Sequence, residues 1–203
     1  MRNTVSTALV VAIVVLSALP AVGTAAEPKL DPAAAPAGHY VLDARHASVT
    51  ARVRHMGLSL YTMRFDHVEA SYDYDPAQPV ATRITVAIDA HSLDTGDAGV
   101  SKQFAAEFLD ADRNPRITFN STAIQATAES HGTVTGDLTL RGVTKPATLE
   151  VNYNGTAPGV LGGHRMGFSA TTTVDRSAFG SGAWRGVVGD DVQIVIEAEF
   201  ERK

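Results

Sequence analysis

The sequence predicts an all-β protein in which seven or eight antiparallel strands surround one apolar interior. Most of the chain after residue 38 alternates apolar and polar residues, short turns separate these runs, and a single later segment has helical spacing. Long strands with one continuous apolar face and a helix at one end favour a closed barrel over a sandwich. A barrel of about eight strands is wide enough to hold one small or slender ligand.

The N-terminal residues predict export. Arg2 precedes an apolar run at 5–19, and small residues follow at 21–26. This pattern is typical of a cleaved signal peptide, residues 1–26, because a spanning helix needs about 20 apolar residues. An uncleaved membrane anchor is the alternative. Residues 27–38, rich in Pro and Ala, predict a flexible leader, and residues 39–203 predict one domain.

Composition excludes several classes of function. The chain has no cysteine, which excludes disulfides, thiolate metal sites and a lipoprotein anchor after the signal. Removing the signal leaves 17 − 1 = 16 Lys and Arg residues against 22 Asp and Glu. A nucleic-acid partner would call for a basic patch, and this mildly acidic chain predicts none. The expected location is the periplasm.

The first half of the domain predicts three long strand segments. Residues 40–55 contain the first strand signals, residues 58–75 form a second alternating run, and residues 83–89 form a third. A Met56-Gly57 pair separates the first two segments. Among the residues on the inward rows are Val49, Val53, His55, Ile84, Val86 and Ile88.

The second half begins with the helical segment. Phe104 and Phe108 lie at helical spacing, which predicts a short helix at 98–107 near one end of the barrel. An antiparallel hairpin follows at 134–153, with its turn at Arg141-Gly142. A Gly-rich loop at 154–163 and strands at 164–175 and 190–201 complete the prediction. The candidate ligand-binding residues of this half lie on inward rows or in the last loop: Phe119, Leu138, Leu140, Phe168, Trp184, Ile194 and Ile196.

Few residues suggest chemistry. The seven histidines form no pair at metal-ligand spacing, so no metal site and no cofactor are predicted. Gly180-Ser181-Gly182 does not match a nucleophile elbow. His55 ends an otherwise apolar inward row, and a structural histidine at the barrel rim is the ordinary interpretation. Arg176 stands at a strand end beside Phe179, where a structural ion pair is more ordinary than a ligand contact.

Short motifs follow one another in a specific order along the domain: 40–43 with His46 and Ser48, 53–57, 93–95, 107–110, 114–119 with Ser121, 136–146, 167–168, 175–180 and 188–192. This ordered set resembles the YceI-like family of exported, lipocalin-like proteins, over about residues 39–203. Two positions depart from the family pattern. Met63 replaces a glycine, and an Asp-x-His-Leu pattern expected around Val100 to Phe104 is absent.

The resemblance implies an eight-stranded antiparallel, lipocalin-like barrel with an apolar tunnel that binds a polyisoprenoid, an isoprenoid quinone or another long-chain amphiphilic lipid. The expected protein is a non-enzymatic carrier, store or scavenger. The inward residues named above, together with Arg176, are the expected tunnel lining. Transient membrane contact and a homodimer are further expectations about partners.

Two other functions stay open at this point. A filled barrel would serve as an interaction or stress-response module of the cell envelope, although only 13 aromatic residues (seven Phe, five Tyr and one Trp) favour an open interior. An enzyme acting on a lipid would use His55 and Arg176 near the barrel rim.

Overall fold

The computed structural model describes residues 27–128, 130–159 and 162–203. The predicted signal peptide, residues 1–26, lies outside them. The helix is α1, Ala98–Leu109. The strands are β1 Gly38–His55, β2 Ser59–Phe65, β3 Val68–Tyr74, β4 Ile84–Asp89, β5 Leu93–Asp94, β6 Arg116–Ala128, β7 His131–Leu140, β8 Val143–Pro158, β9 His164–Asp175 and β10 Val188–Arg202.

Antiparallel pairing closes these strands into a barrel, because β10 pairs with β1 as well as with β9. The strands β2 and β3 pair with different halves of β1, so together they act as one long interrupted strand. In the same way β5 continues β4 and pairs with β2. The ten segments therefore make eight barrel strands. This confirms the predicted eight-stranded antiparallel barrel with one helix.

The hairpin of β7 and β8 shows how the sequence specifies this sheet. Its turn residues Arg141 and Gly142 have φ of 54° and 73°, the left-handed pair that a two-residue hairpin turn requires. Leu140 pairs with Val143 across the turn. Val134, Gly136 and Leu140 are buried and Leu138 lines the barrel interior, whereas Thr135, Asp137 and Thr139 alternate with them on the outer face. The predicted hairpin and its faces are confirmed.

Two element boundaries differ from those predicted. The strand β8 continues through a register shift after Tyr153 to Pro158, so the loop expected at 154–163 is shorter. The helix begins where Asp97 accepts a hydrogen bond from the Val100 amide at 2.9 Å and ends two residues later than predicted. The left-handed conformation of Asp110, with φ of 49°, ends it.

Two apolar clusters divide the barrel interior. The first lies beside α1 and includes Val49, Phe65 and Ile117. The second consists mainly of aromatic rings: Tyr40 stacks on Tyr72 with 5.3 Å between ring centroids. The barrel therefore has a helix-covered end and an aromatic end.

Residues of the expected flexible leader pack over the aromatic end. The phenol of Tyr40 donates a hydrogen bond to the Pro36 carbonyl at 2.8 Å, and the phenol of Tyr74 donates one to the Pro32 carbonyl at 2.7 Å. Between these points Ala35 is buried. This segment and the aromatic cluster close that end of the barrel.

Candidate ligand-binding cavity

A cavity of about 370 Å³ lies in the barrel interior. Its wall is formed by apolar side chains from every long barrel strand and from α1. Phe200 and Ala70 lie at the aromatic end of the wall, and Trp184 and His55 lie at the helix-covered end. This volume falls within the range of about 300 to 1,000 Å³ that is typical of small-molecule sites.

The structure brings nearly all of the sequence-predicted tunnel residues to this wall. Those that line the cavity are Val49, Val53, His55, Val86, Ile88, Phe104, Phe108, Phe119, Leu138, Leu140, Arg176, Trp184, Ile194 and Ile196. The strand residues among them reach the wall through period-two alternation, since successive side chains on a strand point to opposite faces. Phe104 and Phe108 reach it from α1, and Arg176 and Trp184 from the loop before β10.

Ile84 and Phe168 lie elsewhere. Both pack against the second cluster, beyond the aromatic end of the cavity. Ile84 pairs with Tyr72, and the Phe168 ring lies 5.4 Å from that of Tyr153. Period-two alternation identifies the face of a strand but does not indicate how far along the barrel axis a cavity extends, so these two residues were assigned to the wrong level.

Sequence reasoning also missed part of the wall. Met63, Tyr61 and Leu93 line the cavity. Met63 pairs with Ala51 on β1, so it lies opposite an inward-facing position. That pairing was not visible in the sequence, although the alternation of Tyr61, Met63 and Phe65 was. Met63, where the family resemblance predicts a glycine, thus occupies space in the cavity wall.

Helix α1 covers one end of the cavity with an aromatic group. The rings of Phe104 and Phe108 meet edge to face at 4.9 Å, and Tyr61 lies 5.6 Å from Phe104. Glu107 faces the opposite way: it accepts hydrogen bonds from the Trp184 indole and from the Gln103 side chain. The helix is therefore joined to the loop that precedes β10.

Arg176 holds the loop that precedes β10 in place. Its side chain is 4% exposed, and its Nε donates a hydrogen bond to the Gly189 carbonyl at 2.8 Å. Its other nitrogens donate to the carbonyls of Ser181, Ala183 and Val188 and pair with Asp190. Because its donors are used in this way, the structure supports the structural interpretation of Arg176, even though the side chain also contributes to the cavity wall.

The phenols buried at the aromatic end are neutral. Burial raises the pKa of Tyr153 to about 12 and raises the pKa of Tyr72 further. The Tyr72 hydroxyl donates to the Met166 sulfur at 3.3 Å. Phenols buried in this way keep their protons at any physiological pH, so they offer no charge to a ligand.

Two negative findings concern only the described part of the chain. No group of three His, Cys, Asp or Glu side chains there is arranged to hold a metal ion. No helix of residues 27–128, 130–159 and 162–203 has both the length and the apolar character required to span a bilayer.

The sequence of this chain is similar to those of several known proteins. A model of the YceI-like domain matches residues 40–200. A UPF0312 protein of Pseudomonas putida (strain W619) is 40% identical over 147 residues, which is 71% of this chain and 77% of that protein. A UPF0312 protein of Shewanella baltica (strain OS185) is 34% identical over 177 residues, covering 86% of this chain and 93% of that protein.

Solved structures show the same fold. BcnA of Burkholderia cenocepacia is similar with a TM-score of 0.69 and 28% identity, over 78% of this chain and 98% of that one. A polyisoprenoid binding domain from Saccharophagus degradans matches with a TM-score of 0.62 over 81% of this chain and 98% of that one. At 16% identity the latter indicates a shared fold alone. Since the family model spans most of the residues and both curated relatives exceed 30% identity, this chain belongs to the YceI-like domain family.

Proposed function

We propose that this protein is an exported, non-enzymatic binding protein that holds a long-chain amphiphilic lipid, with a polyisoprenoid as the leading class. The observation that carries the proposal is the apolar cavity inside the barrel, closed by aromatic rings at one end. An apolar tail fits this lining, since its wall offers contact to methyl and methylene groups and few hydrogen-bonding groups.

The energetics favour a tail over a compact polar molecule. Transfer of apolar surface out of water is favourable by about 25 cal/mol per Å². A polar group placed against the same wall would lose its hydrogen bonds to water without replacement, at a cost of about 1–3 kcal/mol. Immobilising a flexible chain subtracts from the gain, so a stiff or branched tail, such as an isoprenoid, retains more of it.

The polyisoprenoid class is proposed from the fold relationship. The structural relative from Saccharophagus degradans is described as a polyisoprenoid binding domain, and isoprenoid quinones are one group of such lipids. The periplasmic location is proposed from the signal-peptide pattern at residues 1–26. A carrier function is proposed over catalysis because the donors of Arg176 bind main-chain carbonyls of its own loop.

The direct test is native mass spectrometry of the protein purified from its own host, followed by solvent extraction of the bound species. We expect a retained lipid with an isoprenoid fragmentation pattern. A ligand-free mass that does not change when long-chain lipids are added would overturn the proposal and favour the filled-barrel module.

A matched pair of substitutions assigns the ligand to the cavity. Val86 lines the wall, whereas the next residue, Ala87, lies on the other face of β4. Val86→Asp places a charge against the tail and should abolish retention, while Ala87→Asp should retain the lipid. Circular dichroism of both variants checks the fold. Equal lipid content in two folded variants would place the ligand outside the barrel.

A further inference from the structure

An exposed apolar patch lies at the helix-covered end of the barrel. It consists of Met56 and Leu58 in the turn between β1 and β2, and of Trp184 and Val187 in the loop before β10. We call these four residues the mouth patch. Leu58 is 83% exposed, Met56 is 62% exposed and Trp184 is 50% exposed. Large apolar side chains grouped in this way commonly mark an interaction site.

The backbone holds the mouth patch together. The Met56 amide donates a hydrogen bond to the Val187 carbonyl at 2.7 Å, and the Val187 amide donates one to the Trp184 carbonyl at 3.0 Å. Met56 and Trp184 have φ of 51° and 56°, a left-handed conformation that is uncommon for large side chains. The two loops are thus one connected surface, built at some conformational cost, with its apolar side chains in solvent.

This surface adjoins the cavity. Trp184 belongs both to the mouth patch and to the cavity wall, and His55, which precedes Met56, also lines the cavity. Met56 and Leu58 themselves are not part of the wall. A molecule bound on the mouth patch would therefore face the end of the barrel that the aromatic cluster does not close.

The loops of the mouth patch are more basic than the chain as a whole. The formal net charge of the chain is −5. Residues 55–59 and 179–189 nevertheless contain Arg185 and no acidic residue, and Arg54 comes directly before the first of these loops. Three acidic groups nearby are engaged: Asp190 pairs with Arg176, Glu107 accepts the indole hydrogen bond, and Asp175 accepts hydrogen bonds from Ser177. Asp191, which pairs with Asp175 across β9 and β10, is exposed. Arg54 and Arg185, both exposed, lie within the two loops or directly before them.

We propose that the mouth patch, with Arg54 and Arg185, docks on the surface of an anionic phospholipid bilayer, so that the helix-covered end of the cavity faces the membrane. Exposed apolar side chains enter the headgroup boundary, tryptophan favours this interface, and arginines attract anionic headgroups. A second copy docked symmetrically on the same patch would bring the arginines of both copies into one interface, where their like charges repel.

The test uses Trp184, which is the one tryptophan of the chain and therefore the source of its indole fluorescence. We expect a blue shift when the protein is mixed with vesicles of phosphatidylcholine and phosphatidylglycerol. Quenching by brominated acyl chains and co-sedimentation with the vesicles should accompany it. Binding to pure phosphatidylcholine should be much weaker, and added salt should reduce binding to the anionic vesicles.

Substitutions define the surface. Replacing Arg54 and Arg185 together by Gln should weaken vesicle binding about 30-fold, since each arginine near a membrane surface contributes about 1 kcal/mol, or roughly fivefold. Leu58→Asp should weaken binding as well and leave the cavity intact. The controls are Val80→Asp and Arg83→Gln, which lie beyond β3 toward the aromatic end and should bind vesicles like the unaltered protein.

Three results would overturn the proposal: no fluorescence change with anionic vesicles, equal loss in the control variants, or a dimer in sedimentation velocity that Leu58→Asp dissociates. Lipid retention, followed by native mass spectrometry, is measured separately on the same samples. If the protein retains its lipid but does not bind vesicles, the result contradicts membrane docking alone. If it binds vesicles but retains no lipid, the result contradicts the proposed function alone.

Discussion

The guanidinium carbon of Arg176 lies 5.4 Å from the centre of the Phe108 ring. This contact joins the loop between β9 and β10 to helix α1 through a cation–π interaction. The same arginine binds four main-chain carbonyls of its own loop. One side chain therefore organises both of the segments that cover the cavity at the helix end.

Arg176→Met should destabilise the protein by about 2–5 kcal/mol, because it removes a charged donor set from four main-chain carbonyls that are buried or partly buried. Urea denaturation at neutral pH measures this change in the free energy of unfolding. Arg185→Met, an exposed arginine of the same loop, is the control and should change stability by less than about 0.5 kcal/mol. Similar losses in the two variants would show that the buried hydrogen bonds contribute little.

The sequence predicts the fold better than it predicts the cavity. Alternation assigns the inward face of each strand, and the Arg141-Gly142 turn gives the register of the central hairpin. The sequence does not reveal that β2 and β3 both pair with β1, because pairing between distant strands depends on tertiary packing. For the same reason the level of Ile84 and Phe168 along the barrel was assigned wrongly.

The covering loop was the least predictable part. Residues 176–189 have no periodicity, so the sequence identified Trp184 and Arg176 as unusual without indicating their contacts. The hydrogen bond from Trp184 to Glu107 joins residues 77 positions apart. The residues expected to be a flexible leader carry mainly Pro and Ala, and their role at the aromatic end depends on carbonyl acceptors that every residue has.

Gly136→Ala should destabilise the barrel by about 1–3 kcal/mol and weaken lipid binding. A Cβ at Gly136 would lie 2.5 Å from the Asn120 carbonyl oxygen and 2.5 Å from the Phe119 ring, which lines the cavity. The β6 backbone must shift, and the ring must move toward the cavity beside it. Gly167→Ala is the matched control, because its Cβ would meet the nearest atom at an ordinary 3.5 Å. Unchanged lipid affinity in a folded Gly136→Ala variant would contradict this prediction.

Stability should fall at acidic pH because of Asp43. Hydrogen bonds from His46 and from Arg165 hold the pKa of Asp43 well below its ordinary value. A carboxyl group whose pKa is lower in the folded state stabilises that state above the unfolded pKa of about 3.9. The stabilisation is lost progressively as pH falls from there toward the folded pKa.

Asp43→Asn should therefore lower the free energy of unfolding by about 1–3 kcal/mol at pH 7, which is the usual range for a hydrogen bond to a charged group. The difference between the two proteins should shrink as urea titrations are repeated at progressively lower pH. Asp73→Asn removes an exposed carboxylate that contacts His39 and serves as the control. A difference that is independent of pH would contradict the assigned role of the ionised carboxylate.

Tyr72 should limit the length of the bound tail. It is buried beside Phe200, with 4.9 Å between the ring centroids, and Phe200 forms part of the cavity wall. Tyr72→Ala removes the support behind that wall, which costs about 3–5 kcal/mol of stability and leaves new space at the aromatic end. Each additional buried methylene is worth about 0.8 kcal/mol, so affinity for longer tails should rise up to about fourfold per methylene.

Competition between lipids of increasing tail length, followed by native mass spectrometry, measures the preference. Tyr72→Phe keeps the ring and loses the hydrogen bond to Met166, so its preference should match that of the unaltered protein. Tyr72→Leu creates a smaller space and provides a second test if the alanine variant does not fold. If neither smaller residue shifts the preference toward longer tails, the aromatic cluster does not set the end of the binding site, and the tail must leave the barrel elsewhere.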